Sequence, residues 1–207
     1  MKIKFIPLFV CFICLCTVAS SAWYRGAQSP LTQGEVEHYL TQIGKQPGNP
    51  GQHDMAALRR FLQEDDGKVF YTVNLYKYRD KPNYQAHADK ASTGREAFDR
   101  FSQVMVRLLA PRASHPVFGS DWTDSVNWDR LVIVRYRSRR DIAEIFASSE
   151  FAAASIDKWS GLAKNERFVV QGLHIPELYV LTILVGLILG FYLLVSLRRG
   201  TLRRPSR

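Results

Sequence analysis

Residues 178–197 read LYVLTILVGLILGFYLLVSL, twenty positions without a charge. At about 1.5 Å per residue a helix of that length crosses the roughly 30 Å hydrocarbon core of a bilayer. A water-facing helix of this length would need a polar stripe, and none is present. The run is therefore expected to be a transmembrane helix. It is followed by Arg198, Arg199, Arg203, Arg204 and Arg207, whereas Lys164 and Arg167 are the nearest bases on the other side. The bias of basic residues toward the cytoplasm places the tail 198–207 inside.

The N-terminus makes an independent statement of the same topology. Lys2 and Lys4 precede an apolar stretch from Phe5 to Val18, and Ser20 and Ala22 offer a small-residue cleavage site before Trp23. Residues 1–24 read as a signal peptide or as an uncleaved signal anchor. Either one carries 25–177 across the membrane. The expected location is the bacterial inner membrane, with the main domain periplasmic and the C-terminus cytoplasmic. All three cysteines, Cys11, Cys14 and Cys16, lie in this apolar stretch, so the exported part carries no disulfide. The net charge of +9 is concentrated at the two ends: residues 25–177 hold 21 basic and 19 acidic side chains. That balance and the export topology argue against a nucleic-acid partner.

Between the apolar ends the pattern is mixed α and β. Thr32 and Glu35 form a capping box ahead of Val36, Tyr39, Leu40 and Ile43. Met55, Leu58, Phe61 and Leu62 mark a second helix, so 25–66 reads as a helical extension. The domain proper is expected over 67–172. Residues 69–78 (VFYTVNLYKY) are rich in β-branched and aromatic side chains and predict a strand. Thr93 and Glu96 cap a helix over 94–110 whose apolar face includes Ala97, Phe98, Phe101, Met105 and Leu108. Strands are expected at 115–119, 129–137 and 167–171. Residues 139–163 predict a helix broken near Ser148 and Ser149.

That order is βαββαβ, the split βαβ arrangement of ferredoxin-like folds. In the third strand Leu131 and Ile133 point one way and Val132 and Val134 the other. Both faces are apolar, and a strand apolar on both faces needs two covers. Helices supply one. The same sheet of a second subunit is the simplest source of the other, which predicts a homodimer.

The strings FYTVNLYKY, GREAFDRF, NWDRLVIVRYRSRRDIAEIFASSEF and GLAKNERFVVQ resemble a widespread bacterial family of small dimeric α/β-barrel proteins of unknown function. That family is distantly related to cofactor-free antibiotic-biosynthesis monooxygenases. The resemblance covers about residues 69–171 and implies the fold class: α+β, a ferredoxin-like dimeric α/β barrel, here with a helical extension and terminal membrane segments. It brings no catalytic residues with it. It does imply a cavity for small, often aromatic molecules, for which Asn74, Tyr76, Phe101, His115 and Trp128 are the candidate lining residues. Asn74 stands out because asparagine is disfavoured in mid-strand; it is either a pocket donor or an amide satisfied at the subunit interface.

No metal site and no cofactor is expected. His38, His53, His87, His115 and His174 have no ligand spacing, and there is no phosphate loop, nucleophile elbow or triad. In the membrane segment Gly186 and Gly190 form a G-x-x-x-G that would let two helices approach closely. The expected partners are a second copy of the chain, the lipid bilayer and a small apolar molecule. Three roles remain open: a membrane-anchored binding protein, a cofactor-independent oxygenase or isomerase, and a structural subunit of a membrane complex. An acid–base pair in a cavity would favour the enzyme; a filled, dry barrel would favour the structural subunit.

Overall fold

The computed structural model describes residues 5–25, 29–46, 54–84, 91–124, 126–172 and 183–192. The chain divides into two units, Met1–Gln171 and Gly172–Arg207. The first contains α1 (Phe5–Arg25), α2 (Gln33–Gly44), α3 (Met55–Gln63), β1 (Phe70–Tyr78), α4 (Gly94–Leu109), β2 (His115–Asp121), β3 (Arg130–Tyr136), α5 (Arg139–Ala147), α6 (Ser149–Gly161) and β4 (Leu162–Val170).

The four strands form one antiparallel sheet in the order β2-β3-β1-β4. With α4 between β1 and β2, and α5–α6 between β3 and β4, this is the ferredoxin-like βαββαβ connection. Each helix start has a sequence cause. Thr32 and Glu35 make a reciprocal capping box on α2, and Asp54, Thr93 and Ser138 accept the N3 amides of α3, α4 and α5. Ser148 closes α5 and caps α6 at once, which is why the long apolar stretch breaks there.

β1 alternates strictly. Phe70, Thr72, Asn74 and Tyr76 are buried toward the helices, and Tyr71, Val73 and Leu75 are only half-buried on the opposite face. Its register sets Thr72 against Val134 and Asn74 against Val132, so Val132 and Val134 share the helix-facing side. The hydrophobic core lies between this side and the helices. It runs without a break from Phe98 and Phe101 of α4, through Ile142, Ile145 and Phe146 of α5 and Phe151 of α6, to Val36, Leu40 and Ile43 of α2 and Leu58 and Leu62 of α3. The extension is thus part of one core. It is also pinned by polar contacts: Arg140 pairs with Glu35, and Asp65 accepts the Leu31 amide at 2.9 Å. Gly67, at φ 69°, makes the turn from α3 into β1, and its N–H returns to Asp65 at 3.1 Å.

β4 begins at Leu162, five residues before the expected start at 167. Leu162 pairs with Tyr78 across an irregularity at Lys77/Tyr78, and Asn165 pairs with Tyr76. Pairing with β1 imposes strand geometry on Lys164, Asn165 and Glu166, which have little strand preference of their own.

On the side of the sheet away from the helices lie Tyr71, Val73, Leu75, Leu131 and Ile133, flanked by Phe118 and Phe168 at 52% and 51% exposure. The end of α1 reaches one corner of this face. Arg135, 4% exposed, donates to the Tyr24 carbonyl at 2.7 Å and stacks over the Tyr24 ring at 3.7 Å, and the Tyr24 hydroxyl meets His115 at 2.9 Å.

Among the described residues no helix is long and apolar enough to cross a membrane. The described side chains of α1 are Phe12, Ile13 and those from Leu15 onward, and of the expected membrane run 178–197 only the helix at 183–192 is described. Gly186 and Gly190 sit one turn apart on that helix, with open space where a Cβ would stand. Lys2, Lys4 and the basic tail 198–207 lie outside the described residues, as do His53, His87 and His174.

Candidate functional site

The alternation of β1 and the apolar face of α4 meet a cavity of about 380 Å³ inside the helix–sheet layer. Every element of that layer except β2 and α2 contributes a wall. Asn74 and Tyr76 come from β1, Val134 and Tyr136 from β3, and Asn165, Arg167 and Val169 from β4. Phe101 and Met105 come from α4, Phe146 from α5, and Phe151, Lys158 and Trp159 from α6. Asp54, Ala57, Leu58 and Phe61 of the α3 turn complete it, so the helical extension helps to form the site. The volume lies in the range of small-molecule pockets.

The walls are aromatic and mutually braced. Phe101 packs against Phe98 and Phe151 with ring centroids 5.8 and 6.1 Å apart, and Phe146 against Phe151 at 4.8 Å. A second hollow of about 190 Å³ shares Tyr76, Phe101, Met105 and Val134 as a common wall and opens toward Pro116 and Phe118 of β2.

Polar groups make up about half of the lining. The Asn74 side-chain nitrogen donates to Thr72 Oγ1 at 2.9 Å, to the Val132 carbonyl at 3.2 Å and to the Thr72 carbonyl at 3.3 Å. With that nitrogen engaged within the sheet, its amide oxygen is what Asn74 has left to offer a ligand. Burial raises the Tyr76 phenol far above its usual range and pushes Tyr136 up to about 12, so both stay protonated hydroxyls at neutral pH.

Lys158 is the unusual member. Its Nζ lies 4.5 Å from the Trp159 ring centroid and 5.5 Å from that of Phe101. Burial, and then the positive charge of Arg167, pull its ammonium down to about 7. The Arg167 guanidinium is 6.0 Å from the Phe146 ring. Nearby, Trp159 Nε1 and Asn165 Oδ1 are buried with no hydrogen-bond partner.

Of the residues expected from the sequence, Asn74, Tyr76 and Phe101 come together in this cavity. His115 does not join them: it pairs with Arg135, on the strand parity that faces away from the helices, and its ring bonds Tyr24. Trp128 lies in the connection between β2 and β3 and is not among the lining residues. Lys158, Trp159, Asn165 and Arg167 were not expected. The signal for Lys158 was available: it falls four and seven residues after Ala154 and Phe151, on the buried side of α6. Among the described residues no three His, Cys, Asp or Glu side chains come close enough to hold a metal ion.

No protein-family model matches the sequence, and no curated protein matches it. Among solved structures the chain is similar to RPA0582, a protein of unknown function from Rhodopseudomonas palustris. The two share 16% identity over 61% of this chain and 96% of the other, with a TM-score of 0.51. The methylated form of the same protein gives 0.52. A dimeric protein of unknown function and ferredoxin-like fold from Bacteroides fragilis matches at 11% identity over 50% of this chain and 96% of the other, with a TM-score of 0.35. The likeness to RPA0582 is one of fold.

Proposed function

We propose that this chain is a membrane-anchored homodimer of the bacterial inner membrane. Its periplasmic ferredoxin-like domain binds a small apolar or aromatic molecule in the cavity between sheet and helices. The observation that carries the reading is the cavity itself. A domain this size normally fills its core to crystal-like density. Here a cleft of about 380 Å³ stays open between sheet and helices, with braced aromatic rings in its wall and the exposed Arg167 and Val169 along it. An open cavity also speaks against a barrel that serves only as an assembly module.

The anchoring part rests on sequence: the uncharged run 178–197, the arginines that follow it, and the Lys2/Lys4 start. On that division 1–24 is the signal segment, 25–172 the exported body and 198–207 the cytoplasmic tail. The homodimer is supported by the apolar face carrying Val73, Leu75, Leu131, Ile133 and Phe168, which a second sheet would cover. Gly186 and Gly190 offer a groove for pairing the two membrane helices.

One observation favours the enzyme reading as the second choice. A lysine whose ammonium titrates near neutral pH, inside an aromatic cavity, can take or give a proton at working pH. A cofactor-independent isomerase or oxygenase would use it so.

Native mass spectrometry of the full chain released from detergent, with 2-naphthamide added, tests the main reading. The expected species is a dimer carrying one small-molecule adduct per protomer, either the probe or a co-purified compound. A monomer without an adduct at any probe concentration would overturn it.

A further inference from the structure

Outside the cavity, most partly buried cations of the domain are matched to acids, while the buried Arg135 donates to the Ala113 and Tyr24 carbonyls. Arg112 meets Glu144 at 3.1 Å, Arg130 lies 3.5 Å from Asp121, Arg137 holds Asp141 with two bonds of 2.9 and 2.7 Å, and Arg140 pairs with Glu35. Lys158, which is half-buried, breaks that rule, and Arg167 beside it is exposed. Both line the cavity, and among the described residues neither has a carboxylate partner. Asp54, the only acid on the cavity wall, accepts the Ala57 amide at 2.9 Å as the cap of α3. Holding an unpaired ammonium beside a guanidinium in a half-dry site is unfavourable without compensation. The faces of Trp159 and Phe101 offset part of that cost but leave the N–H groups unbonded.

Taking the cavity as a ligand site, we propose that its ligand is an aromatic organic anion, of the carboxylate class, whose charged end is held between Lys158 and Arg167. The donor inventory fits one acceptor-rich group. An ammonium brings three N–H donors and a guanidinium five, the latter in a fork that matches a carboxylate. The buried Trp159 Nε1 adds a donor without an acceptor. The buried Asn165 Oδ1 is an acceptor without a donor, suited to a hydroxyl on the same ligand. Phe101, Phe146 and Phe151 then take the ring.

The test pairs an anion with its neutral isostere. Full-length protein in phosphatidylcholine nanodiscs is titrated calorimetrically with 2-naphthoate and with 2-naphthamide, using empty nanodiscs as the blank. The expected result is that 2-naphthoate binds about tenfold or more tighter than the amide. Lys158→Met and Arg167→Gln should each remove most of that preference, with the circular dichroism spectrum and cooperative melting of each variant showing that it is folded. Equal affinities in the wild type, or a preference that survives both substitutions, would overturn the anion assignment and leave the cavity as a neutral site. Binding of neither probe would overturn the cavity reading itself.

Discussion

Phe101 shows how one position serves both packing and site. It is 6% exposed, sits between Phe98 and Phe151, and presents its ring to Lys158. Phe101→Ala should cost about 3 kcal/mol, the lower end for a buried phenylalanine because one side already borders a cavity. Chemical denaturation of the full chain in detergent reads it, and a loss under about 1 kcal/mol would mean that α4 is misplaced. Lys158 makes a pH prediction. Its folded value near 7 lies below the ordinary 10.5, so between those limits the unfolded chain binds the extra proton. Stability contributed at this site therefore rises as pH goes from about 7 to about 10. Lys158→Met should have a higher melting temperature than the wild type at pH 6, and the gap should shrink by pH 10. A constant gap would remove the desolvated ammonium from the account. Asn74, Tyr76 and Phe101 were legible because period-2 and period-3.6 patterns assign a face directly. Asn165 and Arg167 were not, because the parity of β4 depends on a start that pairing with β1 decides. His115 lies outside this cavity, and a histidine at the start of a strand carries no mark of its face.

At the scale of elements, the ends of α4 and α6 meet backbone to backbone. A Cβ on Gly94 would stand 2.3 Å from the Arg79 carbonyl and 2.4 Å from that of Gly161; one on Gly161 would stand 2.4 Å from the Gly94 carbonyl. The same junction is tied by Gly161 and Arg79 carbonyls accepting the Arg79 and Gly94 amides at 2.8 and 3.0 Å. Gly94→Ala and Gly161→Ala should each destabilise by about 2–3 kcal/mol or more, since rigid backbone has to move. Gly34→Ala is the contrast. It is a helical glycine of α2 with nothing within 4 Å, and it should gain up to about 1 kcal/mol. Thermal denaturation of the three variants separates close approach from mere helix propensity, and equal effects would contradict the junction. Thr32 and Thr93 marked their helices in the sequence, and in the structure Asp54, Ser138 and Ser148 cap theirs in the same way. That α2 and α3 share the main core was less visible, because an amphipathic helix announces a buried face but not what buries it.

For the whole molecule, two independent features converge on one topology: basic residues after 197 and before residue 5. An alkaline phosphatase fusion after Lys164 should be active and one after Arg207 inactive; the reverse pattern would invert the molecule. The face of the sheet with Phe118 and Phe168 half exposed is the one that the proposed second copy would cover. The cavity lies on the other face, in a layer that a single chain completes, so the proposed ligand binding and the proposed dimerisation are separable. The most direct test uses that separation. Val169 lies on the cavity wall at 42% exposure, where a bulkier side chain can enter from the rim. Native mass spectrometry of the wild type and of Val169→Trp, each with 2-naphthoate added, should show dimers for both and the adduct for the wild type alone. Equal adduct on both proteins would contradict the placement of the ligand between sheet and helices.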